Sequence, residues 1–319
     1  MRLTLALLCS VTCYAKDNAL FHYPTSSESI VQQGFQNDFL RSDRAIKLHV
    51  ARPEDACGSS FGAMQPVSPH YLENQAVAAN RFYDWFLEPD PSLNYPAIIK
   101  EQHKISCVGA DGTKRYFNPN PDYPYYSDSV RPGVFRSEIP PAEKQFNADE
   151  FTLKPEQYAR LAKHGYVPAT SVPQNIPGIT PREEVEAIII GTGPGAIFHK
   201  PAPFTSHFLL YQKASADAMR KVIAFKSKNR NEIQKDPTEL CKALAVSYYA
   251  NINWMPFAGI NNSLFMAQVN TILRHFGLKP MIHADLDYLA LSSPSEVFQK
   301  VFWEDFVKAN PQYASLPTP

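Results

Sequence analysis

The feature that most constrains the fold is a pair of apolar helical patterns joined by a short polar loop, within residues 236–280. The first pattern opens at residues 236–239 (DPTE), where a capping Asp, a Pro at the first helical position and a Glu form a helix start. It runs to about Ile252. The second covers residues 263–276, and Gly277 is a typical C-terminal stop. These patterns predict a mostly helical C-terminal half.

Other segments predict further helices around this pair. Apolar residues at helical spacing predict one helix over residues 71–86 and another over residues 154–164. A third is expected over residues 214–226. Residues 293–296 (SPSE) have the capping-box pattern and open a last helix with a buried aromatic stripe.

The only clear strand pattern is in residues 183–190 (EEVEAIII), which become wholly apolar. Residues 191–195 (GTGPG) form a turn signal, and residues 196–200 are expected to return as a second strand. Residues 88–141 are rich in Pro, Tyr and Asn and predict turns with little regular structure. We therefore expect a mainly α fold with a small β hairpin (α+β).

The N-terminus has the features of a secretory signal peptide. Arg2 supplies a positive charge, an uncharged run follows to Cys13, and Ala15 is a small residue before Lys16. We expect cleavage after Ala15 and a secreted protein, with the periplasm as another destination. A buried N-terminal strand is the alternative. The remaining chain divides into an irregular segment, residues 16–70, and one domain, residues 71–319.

Charge and cysteine content exclude several classes of function. The formal net charge is zero and the pI is about 7.1, which argues against a nucleic-acid binder or a partner of anionic membranes. Three cysteines follow the signal peptide, Cys57, Cys107 and Cys241, so one disulfide is the most they form. His275 and His283 are spaced too loosely with the other histidines for zinc, and we expect no metal.

The segment from residue 186 to 196 (EAIIIGTGPGA) also matches a dinucleotide fingerprint. That motif needs a helix immediately after the glycines, so that backbone N–H groups meet the pyrophosphate. Pro201 and Pro203 make such a helix unfavourable here. We therefore expect a hairpin turn and no bound cofactor.

The polar loop between the two C-terminal helices is a candidate anion site. Loop residues lead straight into a helix N-terminus, where backbone N–H groups and the helix dipole favour a phosphate. Asn261, Asn262 and Ser263 either cap this helix or donate hydrogen bonds to the anion.

This helix–loop–helix resembles the core of the Fic family, whose signature is H-P-F-x-D/E-G-N-G-R. Pro256, Phe257 and Asn261 stand at the Pro, Phe and Asn of the signature. The expected hairpin lies where Fic proteins have a flap over their target. Three changes remove the family's catalytic base, Mg²⁺ ligand and phosphate-binding arginine: Met255, Gly259 and Ser263. The resemblance thus implies a Fic-like helical core without His-dependent AMP transfer.

Over residues 70–306 the chain is similar to the avirulence protein B (AvrB) family of plant-pathogen effectors, which are Fic-fold proteins that also lack the histidine. The similar segments are residues 73–76 (ENQA), 238–240 (TEL) with 255–256 (MP), 276–287 and 130–137 (VRPGVFRS), the last against a family segment that lines the ligand pocket. The chain departs from the family in its signal peptide and in Gly259, near which the family has an arginine.

The resemblance implies a nucleotide-shaped pocket and transfer of a deoxysugar from a nucleotide-sugar to a Ser or Thr hydroxyl of a host or other target protein. Such chemistry needs positive charge at the diphosphate and a carboxylate near the acceptor. The candidate carboxylates are Asp285 and Asp287. The candidate phosphate-binding residues are Asn261, Asn262, Ser263, Arg131, Arg136, Lys200 and His207. Two alternatives stay open, a catalytically inactive Fic fold that binds a protein and a nucleotide-binding module without transfer.

Overall fold

The structure is a computed structural model of the 319-residue chain. The residues that it describes are 22, 23, 25, 70–113, 131–138, 149–153, 155–167, 171–172, 187–190, 197–200, 205–257, 260–282 and 285–319. The predicted signal peptide, most of the segment 16–70 and the turn 191–195 lie outside them.

The described part of the chain is mostly helical, as the sequence predicts. The helices are α1 (Tyr71–Leu87), α2 (Tyr95–Val108), α3 (Pro155–Lys163), α4 (Thr205–Ile223), α5 (Arg230–Lys235), α6 (Thr238–Trp254), α7 (Asn261–His275), α8 (Leu286–Ser292) and α9 (Ser295–Ala309). Short 3₁₀ turns cover Pro91–Asn94, Arg136–Glu138, Ala224–Ser227 and Pro311–Tyr313.

Helix α6 is the centre of the core. It packs against α4, α7, α8 and α9, while α7 also packs against α1. The side chains of α6 from Leu240 to Trp254 are buried around most of the helix, as expected of an element with neighbours on several sides. The face predicted for α1 is buried at the positions whose side chains are described: Ala76, Ala79, Phe82, Tyr83 and Phe86.

The two central helices, α6 and α7, begin and end within about two residues of the predicted positions. The Asp236 carboxylate accepts a hydrogen bond from the Thr238 N–H at 3.0 Å, although Pro237 is the residue at the N-cap. Helix α7 ends at His275, one residue before its predicted end, and Gly277 follows the C-cap residue Phe276 with φ +75°, a conformation that glycine adopts without steric cost. The Leu278 N–H then bonds back to the Leu273 carbonyl at 2.9 Å and closes the helix.

Three helix predictions need correction. Residues 95–108 form helix α2 instead of turns, because Pro96 lies in the first helical turn, where a missing N–H has no cost. Helix α4 begins at Thr205, nine residues before its predicted start. The capping box at residues 293–296 does not form, because the Ser293 hydroxyl donates to the Leu289 carbonyl at 2.6 Å and Pro294 is at the N-cap.

Four short strands are also described: β1 (Asp149–Thr152), β2 (Ser171–Val172), β3 (Ala187–Ile190) and β4 (Ile197–Lys200). Their order is β1-β4-β3-β2 and each neighbouring pair is antiparallel. In the register, Ile189 lies opposite Phe198, and Phe198 lies opposite Phe151.

A chain of buried polar side chains runs through the helical core. Gln102 of α2 donates to the Ala78 carbonyl of α1 at 3.1 Å and accepts from Gln268 of α7 at 2.6 Å. The Tyr95 hydroxyl of α2 lies 2.8 Å from Gln268 Oε1 and 3.1 Å from Asn251 Oδ1 of α6. Asn251 also accepts from the Ser215 hydroxyl of α4. Five helices therefore contribute to one hydrogen-bonded chain, hereafter the polar chain.

Cys107 and Cys241 are both buried free cysteines, so the one disulfide that the sequence allows is not formed between them. Cys57 lies outside the described residues. Within the described helices, none is both long enough and apolar enough to cross a membrane.

Candidate functional site

The candidate site begins at the loop between α6 and α7. Met255, at its start, has φ 42°, and Ile260 at the other end has φ 65°. Among the described residues these are the two non-glycine residues with positive φ. A left-handed conformation is costly for a side chain branched at Cβ, such as that of Ile260, and strain of this kind clusters at functional sites. Residues 258 and 259, including Gly259, lie outside the described residues.

Asn261 holds this loop in place. The Phe257 N–H donates to Asn261 Oδ1 at 3.1 Å, and Asn261 Nδ2 donates to the Phe257 carbonyl at 2.8 Å. Asn261 is only 4% exposed. Its amide therefore pins the backbone of Phe257, and binding a phosphate would require breaking these bonds.

None of Asn261, Asn262 and Ser263 is the N-cap residue of this helix, which speaks against the capping alternative. Helix α7 begins at Asn261, so all three residues form its first turn, and the N-cap residue Ile260 has no side-chain cap. Asn262 and Ser263 are half-buried at this helix end. The first N–H groups of a helix have no carbonyl of the preceding turn to bond, so the end keeps a partial positive charge of about 0.5.

Asp287 meets this helix end. Asn262 Nδ2 donates to Asp287 Oδ2, and the Asp287 side chain, on the first turn of α8, is 2% exposed. The structure thus brings two predicted site residues together across 25 residues of sequence.

Asp285 belongs to a different cluster. Arg160 of α3 donates to Asp285 at 2.7 Å and also forms an ion pair with Asp305 of α9 at 2.9 Å. All three side chains are largely shielded from solvent. This arrangement ties α3 to the start of α8 and to α9, which is a structural role. Asp285 and Asp287 therefore have separate partners.

The segment of residues 131–138 docks directly on the loop. The Phe135 ring packs between Trp254 and Phe257, with centroids 5.2 and 5.3 Å away. Glu138 accepts from the Phe135 N–H at 3.0 Å and pairs with Lys100 of α2. The segment is thereby fixed beside residues 254–257.

His103 of α2 is a member of the site that sequence reasoning missed. Its ring stacks on Phe257 at 3.8 Å with an angle of 2° between the planes, and its Nδ1 accepts from the Gly133 N–H at 3.0 Å. A nitrogen that accepts cannot carry a proton, so this bond needs the tautomer protonated at Nε2. His103 is fully buried and joins the segment 131–138 to the loop. A lone histidine within a helix gives no signal of this in the sequence.

The candidate cations are only partly characterised by the structure. Arg131 is exposed at the start of the docked segment. Arg136 lies in the 3₁₀ turn, Lys200 ends β4 and His207 is in the first turn of α4, but their side chains lie outside the described part. The structure thus brings Asn261, Asn262 and Asp287 around the loop.

Other chemistries find little support among the described residues. Burial raises the pKa of the Cys107 and Cys241 thiols, so neither is poised as a nucleophilic thiolate. In the part of the chain that the structure covers, no cluster of three His, Cys, Asp or Glu side chains could hold a metal ion. Residues 197–200 form a strand, so a helix does not follow the glycines of the dinucleotide-like motif.

No protein-family model matches the chain, and no curated protein matches it.

Proposed function

We propose that the chain is an exported effector-like protein with a Fic-like core, which transfers a sugar from a nucleotide-sugar to a Ser or Thr hydroxyl of a target protein. Its proposed partners are that protein, in a host or elsewhere, and the nucleotide-sugar, with no nucleic acid or membrane. The resemblance to the AvrB family suggests this chemistry, and the geometry around α7 supports it.

The observation that carries the proposal is the contact between Asn262 and Asp287 at the N-terminus of α7. A diphosphate and a carboxylate base are the two charged participants that such a transfer needs near one sugar. Here the anion-attracting helix end and a carboxylate adjoin each other. Helices α7 and α8 both pack against α6, so the core can hold this arrangement rigidly.

In the proposed step, Asp287 removes the proton of the acceptor hydroxyl. The hydroxyl oxygen then forms a bond to the anomeric carbon of the sugar, while the bond from that carbon to the diphosphate oxygen breaks. The nucleoside diphosphate leaves with its negative charge against the start of α7. Met255 supplies no base, so the step differs from the histidine-dependent Fic route.

Two further features support a functional loop. The positive φ angles of Met255 and Ile260 are at its two ends, and the segment 131–138 is clamped on it through His103 and Phe135. Under the Fic resemblance, the antiparallel strands β3 and β4 would be the flap hairpin. We propose that they bind the target protein.

A second candidate is a catalytically inactive Fic fold that binds a protein or a nucleotide. The observation that favours it is that side chains of the loop between α6 and α7 are buried and that the loop is bonded to the start of α7. Pro256 and Phe257 are buried, Asn261 is bonded to Phe257, and Asp287 is shielded from solvent. In this alternative the loop is a packed support, and the docked segment and hairpin form the binding surface.

Asp287→Asn separates the two candidates. The amide oxygen that this substitution introduces can still accept from Asn262, so the fold and nucleotide binding should survive while the base is lost. For the transferase we expect nucleotide-sugars to raise the melting temperature of both proteins, and sugar transfer, followed by mass spectrometry of target proteins, only with the wild type. Binding without transfer by the wild type favours the inactive candidate, and no thermal shift with any nucleotide or nucleotide-sugar at millimolar concentration refutes the nucleotide site.

A charge-swapped pair is the matched control. Asn262→Asp alone puts two carboxylates in contact and should destabilise the protein, whereas Asn262→Asp with Asp287→Asn restores one carboxylate and one amide. The double variant should recover the stability and still lose transfer, because the proposed base is no longer at position 287 of α8. Transfer by the double variant at the wild-type rate would exclude Asp287 as the base.

A further inference from the structure

A short N-terminal segment is anchored on α1 and α7 by a single aromatic side chain. Tyr23 is 3% exposed, while His22 before it is half-buried and Thr25 after it is exposed. The anchor is far along the sequence from the helices that it contacts, since the bonded residue Asn80 is 57 positions away. Tyr23 contacts side chains of α1 and α7, and these two helices also pack against each other.

Asn80 of α1 binds the backbone of this segment. The Tyr23 N–H donates to Asn80 Oδ1 at 2.7 Å, and Asn80 Nδ2 donates to the Tyr23 carbonyl at 2.9 Å. One side-chain amide thus satisfies both backbone groups of a residue. Backbone hydrogen bonds give affinity for a peptide of any sequence, and side-chain pockets then give specificity.

Side chains near Asn80 contact both the Tyr23 ring and the His22 that precedes it. The Arg274 guanidinium of α7 lies 4.0 Å from the centre of the Tyr23 ring, a cation–π contact. His22 Nε2 is 2.8 Å from the Asp84 carboxylate, and its ring meets the edge of Tyr83 at 5.4 Å. Backbone hydrogen bonds, a cation–π contact and the side-chain contacts of His22 therefore all hold His22 and Tyr23 in place.

A surface cleft of about 370 Å³ opens beside this anchor. Thr25 lines it together with charged side chains of α1 and α2, among them Arg81, Asp84, Glu101 and Lys104. Arg81 and Glu101 form an ion pair at 2.8 Å across the two helices. The cleft offers room and charged groups for further residues of a bound peptide.

We propose that this face of α1 and α7 is a peptide-binding site for a short segment with an aromatic anchor, and that His22–Tyr23 of the same chain occupies it in cis. The site is separate from the loop at residues 255–260 and does not depend on the function proposed for that loop. A peptide that also fills the charged cleft would compete with the chain's own segment.

The test uses the full chain with Tyr23→Ala, which empties the anchor position. A synthetic peptide of residues 18–27 (NALFHYPTSS) should bind this variant and raise its melting temperature. The same peptide with Ala in place of Tyr23 is the matched control and should have no effect. Adding Asn80→Ala to the variant should weaken binding at least tenfold, because two hydrogen bonds are lost. A folded Tyr23→Ala variant that does not bind the wild-type peptide would overturn the proposal.

A second measurement covers the case in which Tyr23→Ala does not fold. A protease site placed between residues 26 and 69 of the otherwise wild-type chain allows the segment to be cut from the folded protein. We expect a fluorescent peptide of residues 18–27 to replace the cut segment and to be displaced by excess unlabelled peptide. Failure of the labelled peptide to enter the cut protein, with the helices still intact by circular dichroism, would also overturn it.

Discussion

Acidification from pH 7.5 to pH 5 is expected to weaken the fold through His275, at the end of α7. Its Nδ1 lies 3.1 Å from the Tyr83 hydroxyl, and its ring meets Phe86 and Phe276 edge to face. Burial lowers the pKa of His275 from 6.5 to about 4, and the nearby charges of Arg230 and Lys226 act in the same direction. The folded protein therefore keeps this histidine neutral.

The sign and size of the effect follow from proton linkage. Below pH 6.5 the unfolded chain binds a proton at His275 that the folded chain does not, so stability falls as the pH drops from about 6.5 towards 4. At about 1.4 kcal/mol for each pH unit, the full difference is about 3 kcal/mol. About 2 kcal/mol of it is lost by pH 5, a large share of the roughly 5–15 kcal/mol typical of a folded domain.

His275→Gln tests this reasoning, because glutamine can bond the Tyr83 hydroxyl but does not titrate. Urea unfolding of both proteins at pH 7.5 and pH 5 gives the free energy of unfolding at each pH. We expect the wild type to lose about 2 kcal/mol more than the variant between the two values. Most carboxylates stay ionised above pH 5, so they contribute little to the difference. Equal losses in the two proteins would refute the assignment to His275.

Four other predictions address the docked segment, the loop, the AMP-transfer reaction and export. Gly133→Ala should cost about 1–2 kcal/mol, measured by urea unfolding, because the residue has φ +71° and its Cβ would lie 3.0 Å from the Lys100 carbonyl. Ile260→Gly should change stability by less than about 1 kcal/mol in the same assay, since relief of the left-handed backbone offsets the lost side-chain burial. The wild type should show no Mg²⁺-dependent labelling of a target by ATP, and labelling would restore the Fic route. N-terminal sequencing of exported protein should begin at Lys16.

The sequence predicts the central helices because their signals are local. The apolar spacing of α6 and α7, the carboxylate of Asp236 and the glycine at 277 all act within a few residues of the helix ends that they define. Helix α2 was missed for the opposite reason. The Pro- and Tyr-rich composition of residues 88–141 suggests turns, whereas burial of Ile98, Ile99 and Tyr95 in the core outweighs it over residues 95–108.

The candidate site depends on contacts that no local pattern contains. The sequence gives no reason to distinguish Asn261 from Asn262. In the structure Asn261 bonds to the Phe257 backbone and Asn262 bonds to Asp287, because successive helical residues point in different directions. The contacts of His103 with Gly133 and with Phe257 bring together three distant parts of the chain. Only the packed arrangement of the helices decides such contacts.

The residues of the polar chain are expected to change together in evolution. Replacing Gln268 by a leucine of similar size would leave the Gln102 side-chain carbonyl without its donor in a dry interior, at a cost of about 1–3 kcal/mol, and would leave the Tyr95 hydroxyl with Asn251 as its remaining partner in this chain. A single substitution along the chain is therefore costly, while a coordinated change of several members can be nearly neutral. Homologues should consequently carry either the whole set of polar residues or an apolar set in its place, and mixtures of the two should be rare.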